Sequence, residues 1–318
     1  MQVADPRLRT KLPCGVELKN PVLLASGCCG YGEEYAPLVD LSELGGVITE
    51  AVSMEPRAGN VPPRLRETPA GLLNCIGLQN PGVEVFCAEV VPRLLSQGTS
   101  FLVNVVGPSS DEFASAIRRI EQELGSLDTQ GFKGYELDLS CPNVDSGSLF
   151  ATDISLLKET VARCCEVTDA LVIAKLSPNV NEITTYAAAA QQAGASCVTI
   201  ANTWAGVSID IATRQSHLAR PSAGLSGPAI RPATLYHVWQ CHRALPELPI
   251  IGCGGITDAD SAIQYMLAGA SAIQIGTGLF LDPDCPAQIV KGLSEYLDSQ
   301  GEKSTAAIVG TYRDDAKT

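Results

Sequence analysis

The chain has 318 residues, 45% hydrophobic and 18% charged, enough apolar sequence for a substantial core. Its formal net charge of −13 opposes phosphate backbones and anionic surfaces, so neither nucleic acid nor a membrane is expected as a partner. No apolar run is long enough to span a bilayer, and the opening MQVADPRLRTKLPCG lacks a basic-then-apolar signal pattern, so a cytoplasmic location is expected.

In chain order, LPCGVELKNPVLL reads first as a β-hairpin, with Cys14-Gly15 between two extended runs. Eight short, nearly continuous apolar runs then follow: PVLLA (21–25), GGVITEAV (45–52), SFLVNVV (100–106), GYELDLS (134–140), ALVIAKLS (170–177), SCVTIAN (196–202), LPIIGCG (248–254) and SAIQIGT (271–277). Runs of this kind are strands of a parallel sheet covered on both faces. Between them, residues 109–127, 153–168, 181–195 and 256–270 carry apolar residues at helical spacing. The first opens on Ser-Ser-Asp-Glu, the third ends at Gly194, and the fourth runs from Thr-Asp to Gly269. This alternation predicts one domain over residues 1–318, a (β/α)8 barrel whose floor is closed by the N-terminal hairpin. A doubly wound open sheet is the main alternative, but SGCCGYGEE after the first strand has the wrong spacing for its glycine fingerprint.

A (β/α)8 barrel carries its chemistry at the C-terminal strand ends. There the chain offers Ser26, Glu50, Asn104, Asp138, Cys141, Asn143, Lys175, Asn202 and Thr203, then Gly254-Gly255 and Gly276-Thr277 after strands seven and eight. Glycines at those last two strands form either a phosphate cradle or a pair of tight turns. Lys175, inside an apolar run, needs a partner or a task. Asn74, Asn143 and Asn202 can read a planar ring carrying carbonyls and N–H groups, because an amide both donates and accepts. The 12 cysteines are expected to stay reduced, and neither they nor the three histidines have metal-ligand spacing. Cys141 is either a buried small hydrophobe or a general base, held by Pro142 in a polar loop.

At these residues the chain resembles the class 1 dihydroorotate dehydrogenases, most closely class 1B. The matching stretches include NPVLLASGCCGYGEEYA, PRAGNVPPRL, GLLNCIGLQNPG, SCPNV, KLSPNV, ANTWAGV, GLSGPAI, GCGGI and AGASAIQIGTG, spread from about Leu12 to Pro283. The resemblance implies an FMN-carrying barrel that oxidises dihydroorotate to orotate. In that family a loop cysteine takes the C5 proton while hydride leaves C6 for flavin N5. By resemblance Cys141 is the base, and Asn74, Gly77, Leu78, Asn143, Asn202 and Thr203 read the substrate. Ser26, Glu50, Ala51, Asn104, Asp138, Lys175, Ala201, Gly227, Gly254, Gly255, Gly276 and Thr277 fall at FMN positions. The resemblance also implies a homodimeric core and a second subunit carrying FAD and an iron–sulfur cluster.

Two positions depart from that pattern: Glu50 stands where the family has lysine and Asp138 where it has asparagine. Together they change the local charge by −3 if both ionise. Unit charges about 4 Å apart interact by roughly 4 kcal/mol at an effective dielectric near 20, enough to oppose an anionic ring. Three accommodations are open: Glu50 pairs with Lys175, one acid stays protonated through burial, or the ligand is a different, less anionic reduced ring. A barrel that has lost catalysis is a further reading, against which Cys141 and Lys175 stand.

Overall fold

The computed structural model describes residues 5–127, 129–140 and 147–313. Eight parallel strands close into a barrel: β1 (Val22–Leu24), β2 (Gly46–Ile48), β3 (Phe101–Val105), β4 (Phe132–Asp138), β5 (Leu171–Lys175), β6 (Cys197–Ile200), β7 (Ile250–Cys253) and β8 (Ala270–Ile275). Each strand pairs with its sequence neighbours, and β8 closes on β1 with Ile273 opposite Val22. The strands are shorter than the runs that predicted them. Past Ile48, for example, the Glu50 N–H leaves the ladder and donates to Gly30 O at 2.9 Å, which turns the chain into the barrel mouth.

The helices between strands begin where short polar side chains cap them. Ser109 accepts from Glu112 N ahead of Ser110–Leu124, and Asp153 accepts from Ser155 N and Leu156 N ahead of Ile154–Cys165. Asp258 and Ser261 form a reciprocal capping box at Ala259–Ala268, which stops at Gly269 with φ 121°. The helix Ile183–Gln192 ends just before Gly194, at φ 107°.

Strand alternation divides the side chains into two sets. Val103, Tyr135, Leu137, Val172, Ala174, Val198 and Ile273 point outward into the large core under the helices. Leu102, Ile173, Cys197, Ile251 and Ala272 point inward and form the lowest layer of the barrel interior. Leu12 and Leu18 of the N-terminal hairpin pack on that layer. The hairpin pairs Thr10 with Leu18 and Lys11 with Glu17, and turns through Cys14 and Gly15 at φ 56° and 70°. It is the floor expected from the sequence.

Two residues further along each strand, the same inward face becomes polar. Asn104, Glu136, Lys175, Thr199 and Gln274 form a buried layer centred on the fully buried Glu136 carboxylate. Its Oε1 accepts from Asn104 Nδ2 at 2.8 Å and Lys175 Nζ at 3.1 Å. Its Oε2 accepts from Thr199 Oγ1 at 2.8 Å and Gln274 Nε2 at 2.5 Å. Four donors from four strands thus satisfy one buried anion, as burial of a charge requires.

The mouth is roofed by an antiparallel four-stranded sheet, in the order Trp204–Gly206, Ala223–Ser226, Gly71–Asn74 and Leu65–Thr68. Its glycines allow close approach: a Cβ on Gly71 would lie 2.1 Å from Ser226 O, and one on Gly224 would lie 2.1 Å from Thr203 Oγ1. No helix among the described residues is long and apolar enough to cross a membrane.

Two stability changes follow. Asp258→Ala, which removes one half of the capping box, is expected to cost about 1 kcal/mol in urea unfolding. Glu136→Gln, which leaves the buried Lys175 ammonium without its anion, is expected to cost about 3–5 kcal/mol in the same measurement. Equal losses for the two would contradict the central place of Glu136.

Candidate active site

Between the strand ends and the covering sheet lies a cavity of about 220 Å³. Its described lining includes Ser26, Glu50, Ala51, Asp138, Lys175, Ala201, Gly227, Gly254, Gly255, Gly276 and Thr277, together with Asn74, Gly77, Leu78, Asn202 and Thr203. The residues expected at the cofactor and at the substrate are therefore brought to one cavity from all parts of the chain. Asn104 is the exception among those described: it is 1% exposed and lies behind the lining, bonded to Glu136. Cys141 and Asn143 fall outside the described residues.

The roof positions the amides. Asn74 Nδ2 donates to Gly224 O at 3.3 Å. Gly77 takes φ 82°, and a Cβ there would meet Asn60 N and Asn60 Nδ2 at 2.8 Å, so the 74–78 segment packs directly on Asn60. Asn60 Nδ2 in turn donates to Cys75 O at 2.9 Å. On the barrel side, Asn202 Nδ2 donates to Ser140 Oγ at 2.8 Å and to Asp138 Oδ1 at 3.2 Å. Ser140 gives its N–H and its hydroxyl to Asp138 Oδ1, at 3.2 and 3.0 Å. The strand end immediately before Cys141 is thereby tied to β4 and to Asn202, two residues past β6.

The glycines leave no room for side chains at the other end of the cavity. A Cβ on Gly255, at φ 69°, would lie 2.7 Å from Arg231 Cβ and 2.8 Å from Gly227 O. One on Gly227, at φ 93°, would lie 2.8 Å from Gly71 Cα. Thr277 Oγ1 donates to Ser226 Oγ at 2.7 Å and joins this end to the roof.

The charges of the cavity are unusual. Lys175 is the single cation among its described lining residues, and its ion-pair partner is Glu136, not Glu50. Burial alone would lower its pKa, but Glu136, with Cys253 and Asp138, outweighs burial and holds the amine above its ordinary range. A direct Glu50–Lys175 pair, the first accommodation considered from sequence, is not the one formed. Burial pushes the Glu50 carboxyl up; Lys175 pulls it partly back, Glu34 and Asp138 push with burial, and it reaches about 7. Burial also raises Asp138, against Lys175 and the Ser140 hydrogen bonds. Cys28 and Cys253 line the same cavity, and burial pushes their thiols to about 12 and about 11. Neither is a thiolate at neutral pH, so neither suits the role of base.

Sequence reasoning missed Glu136, Thr199 and Gln274. Period-two alternation held the signal: Glu136 precedes Asp138 by two residues and so shares its face, and Lys175 required an anion nearby. It also missed the apolar roof contacts Leu65 and Leu72, and Phe280, which is 57% exposed at the cavity rim. Among the described residues no group of three or more His, Cys, Asp or Glu could hold a metal ion.

The family model for dihydroorotate dehydrogenase matches residues 7–297. The chain is 43% identical to the catalytic subunit of dihydroorotate dehydrogenase B (NAD(+)) of Pelobacter propionicus, over 93% of this chain and 95% of that one. It is 43% identical to the corresponding subunit of Desulforudis audaxviator, over 93% and 94%. A dihydroorotate dehydrogenase of Eimeria tenella, solved in complex with ferulenol, superimposes with a TM-score of 0.80 at 19% identity, covering 98% of this chain and 90% of that one. That likeness shows the (β/α)8 fold, and the sequence matches show the rest: the chain belongs to the class 1 dihydroorotate dehydrogenases, oxidoreductases acting on CH–CH bonds, whose membership implies a flavin.

Proposed function

We propose that this chain oxidises dihydroorotate to orotate with FMN, using Cys141 as the general base. The observation that carries this reading is the convergence of Lys175, the glycine end and the three described amide and hydroxyl groups Asn74, Asn202 and Thr203 on one cavity of a family member. The residues present fit a flavin. Gly227, Gly254, Gly255 and Gly276 line one end of the cavity without side chains, and Asn104 Oδ1, one hydrogen bond from the Lys175–Glu136 pair, is buried without a partner among the described residues. Gly254, Gly255, Gly276 and Thr277 would hold its phosphate, and Lys175, Ser26, Ala51 and Ala201 its ring.

When bound, the flavin supplies the two-electron acceptor of the reaction. The chain's own part is to bind, orient and deprotonate. Asn74 presents a donor and an acceptor to the ring edge, and Asn202, whose amide hydrogens go to Ser140 and Asp138, presents its Oδ1 as an acceptor. Asp138 and Asn202 anchor Ser140, the residue that precedes Cys141 in the chain. Cys141 takes the C5 proton as the C6–H bond is broken toward the acceptor. The roof sheet excludes water above the ring. The names of the bacterial relatives, catalytic subunits of an NAD(+)-dependent enzyme, support a second subunit as the outlet for electrons, for which the family resemblance implies FAD and an iron–sulfur cluster.

Anaerobic addition of dihydroorotate to the FMN-loaded protein is expected to bleach the flavin spectrum within seconds at pH 6.5. Cys141→Ser is expected to slow bleaching about 10²–10⁴-fold while leaving FMN content unchanged. Loaded protein that stays yellow with dihydroorotate at every pH from 6 to 9 would contradict the proposed substrate.

A further inference from the structure

The charges of the cavity reach beyond this reading of the function, though they rest on it. Dihydroorotate and orotate each carry a ring carboxylate, so the cavity must accept an anion. Its described charged lining residues are Glu50, Asp138 and Lys175. Lys175 is already engaged by the fully buried Glu136 at 3.1 Å. No cation in the described lining is left to offset an entering carboxylate.

The two acids are not equivalent. Asp138 Oδ1 receives three hydrogen bonds, from Ser140 N, Ser140 Oγ and Asn202 Nδ2, so its carboxyl is committed to holding the strand end. Glu50 follows β2, and only burial and neighbouring charges act on its carboxyl. The groups facing it are Lys175 from β5, Asp138 from β4, and Glu34 from the loop after β1. Cys28, Cys29 and Tyr31 of that loop also feel its charge. All but Lys175 are neutral or negative, so nothing but Lys175 favours a charged Glu50.

We propose that Glu50 is the specificity-determining residue for the charge of the ring: as a neutral acid it admits a ring bearing a carboxylate, and as a carboxylate it excludes that ring while still admitting an uncharged one. The direction follows from its environment. Glu50 titrates near 7, so it is mainly neutral below that pH and mainly charged above it. Affinity for an anionic ring is therefore fully present below about pH 7 and lost as pH rises through it, by up to tenfold per pH unit.

The test is calorimetric binding of orotate and of uracil, the same ring without the carboxylate, to the FMN-loaded protein between pH 6 and 8.5. Orotate is expected to weaken tenfold or more across that range and uracil less than twofold. In Glu50→Gln, orotate binding is expected to be pH-independent. Orotate affinity that stays flat in the wild type would overturn the proposal and leave dihydroorotate oxidation standing. So would an equal decline for uracil, or a decline that persists in Glu50→Gln, which would move the effect to Asp138. Orotate that binds neither protein at any pH would overturn the substrate reading together with the proposal. Should Glu50→Gln lose its flavin, Asp138→Asn separates the two acids: orotate binding that keeps its pH dependence leaves Glu50 as the source, and binding that becomes flat overturns the proposal.

Discussion

One buried anion organises this molecule. The Glu136 carboxylate sits in the barrel interior and accepts hydrogen bonds from side chains of β3, β5, β6 and β8. A charge without solvent is tolerated only when its lone pairs are filled and an opposite charge is near, and here both conditions are met by strands that are distant in sequence. The barrel must be closed, and in this register, for the four donors to meet. The register pairs Asn104 with Glu136 and Asp138 with Lys175, which stacks the polar layer directly beneath the mouth.

The consequence for the site is electrostatic. Because Glu136 neutralises Lys175 from below, the lysine contributes little net charge to the cavity above it. The sign of that cavity is then set by Glu50 and Asp138, whose carboxyls burial pushes upward. A neutral acid donates and accepts, and a carboxylate only accepts, so Glu50 presents two different binding surfaces on either side of its titration. The roof sheet strengthens this effect by keeping the groups partly dry.

Much of the fold could be read from the chain because a barrel obeys simple rules. Continuous apolar runs marked all eight strands, and Ser109, Asp258 and Gly269 marked helix ends where they occur. Lys175 could be singled out because a lysine within ALVIAKLS has no place in an apolar core. Its partner was harder to see, since Glu136 lies in a run whose other acid, Asp138, drew attention for its departure from the family pattern. The roof was not legible at all. Its strands, such as Gly71–Asn74 and Trp204–Gly206, are three or four residues long and rich in glycine, and the central pairing of Gly71–Asn74 with Ala223–Ser226 joins segments about 150 residues apart that share no local pattern. The pairing of Lys175 with Glu136 in place of Glu50 is a fact of geometry that residue types alone leave open.

The charge of the cavity turns on whether Glu50 ionises near neutrality. Infrared difference spectroscopy of the carboxyl C=O band, with Glu50→Gln as the reference, measures that ionisation directly. A protonated band that fades with a midpoint near pH 7 is the predicted result. A midpoint at the ordinary glutamate value, about 4.3, would contradict it, because the cavity would then hold a fixed negative charge under all physiological conditions.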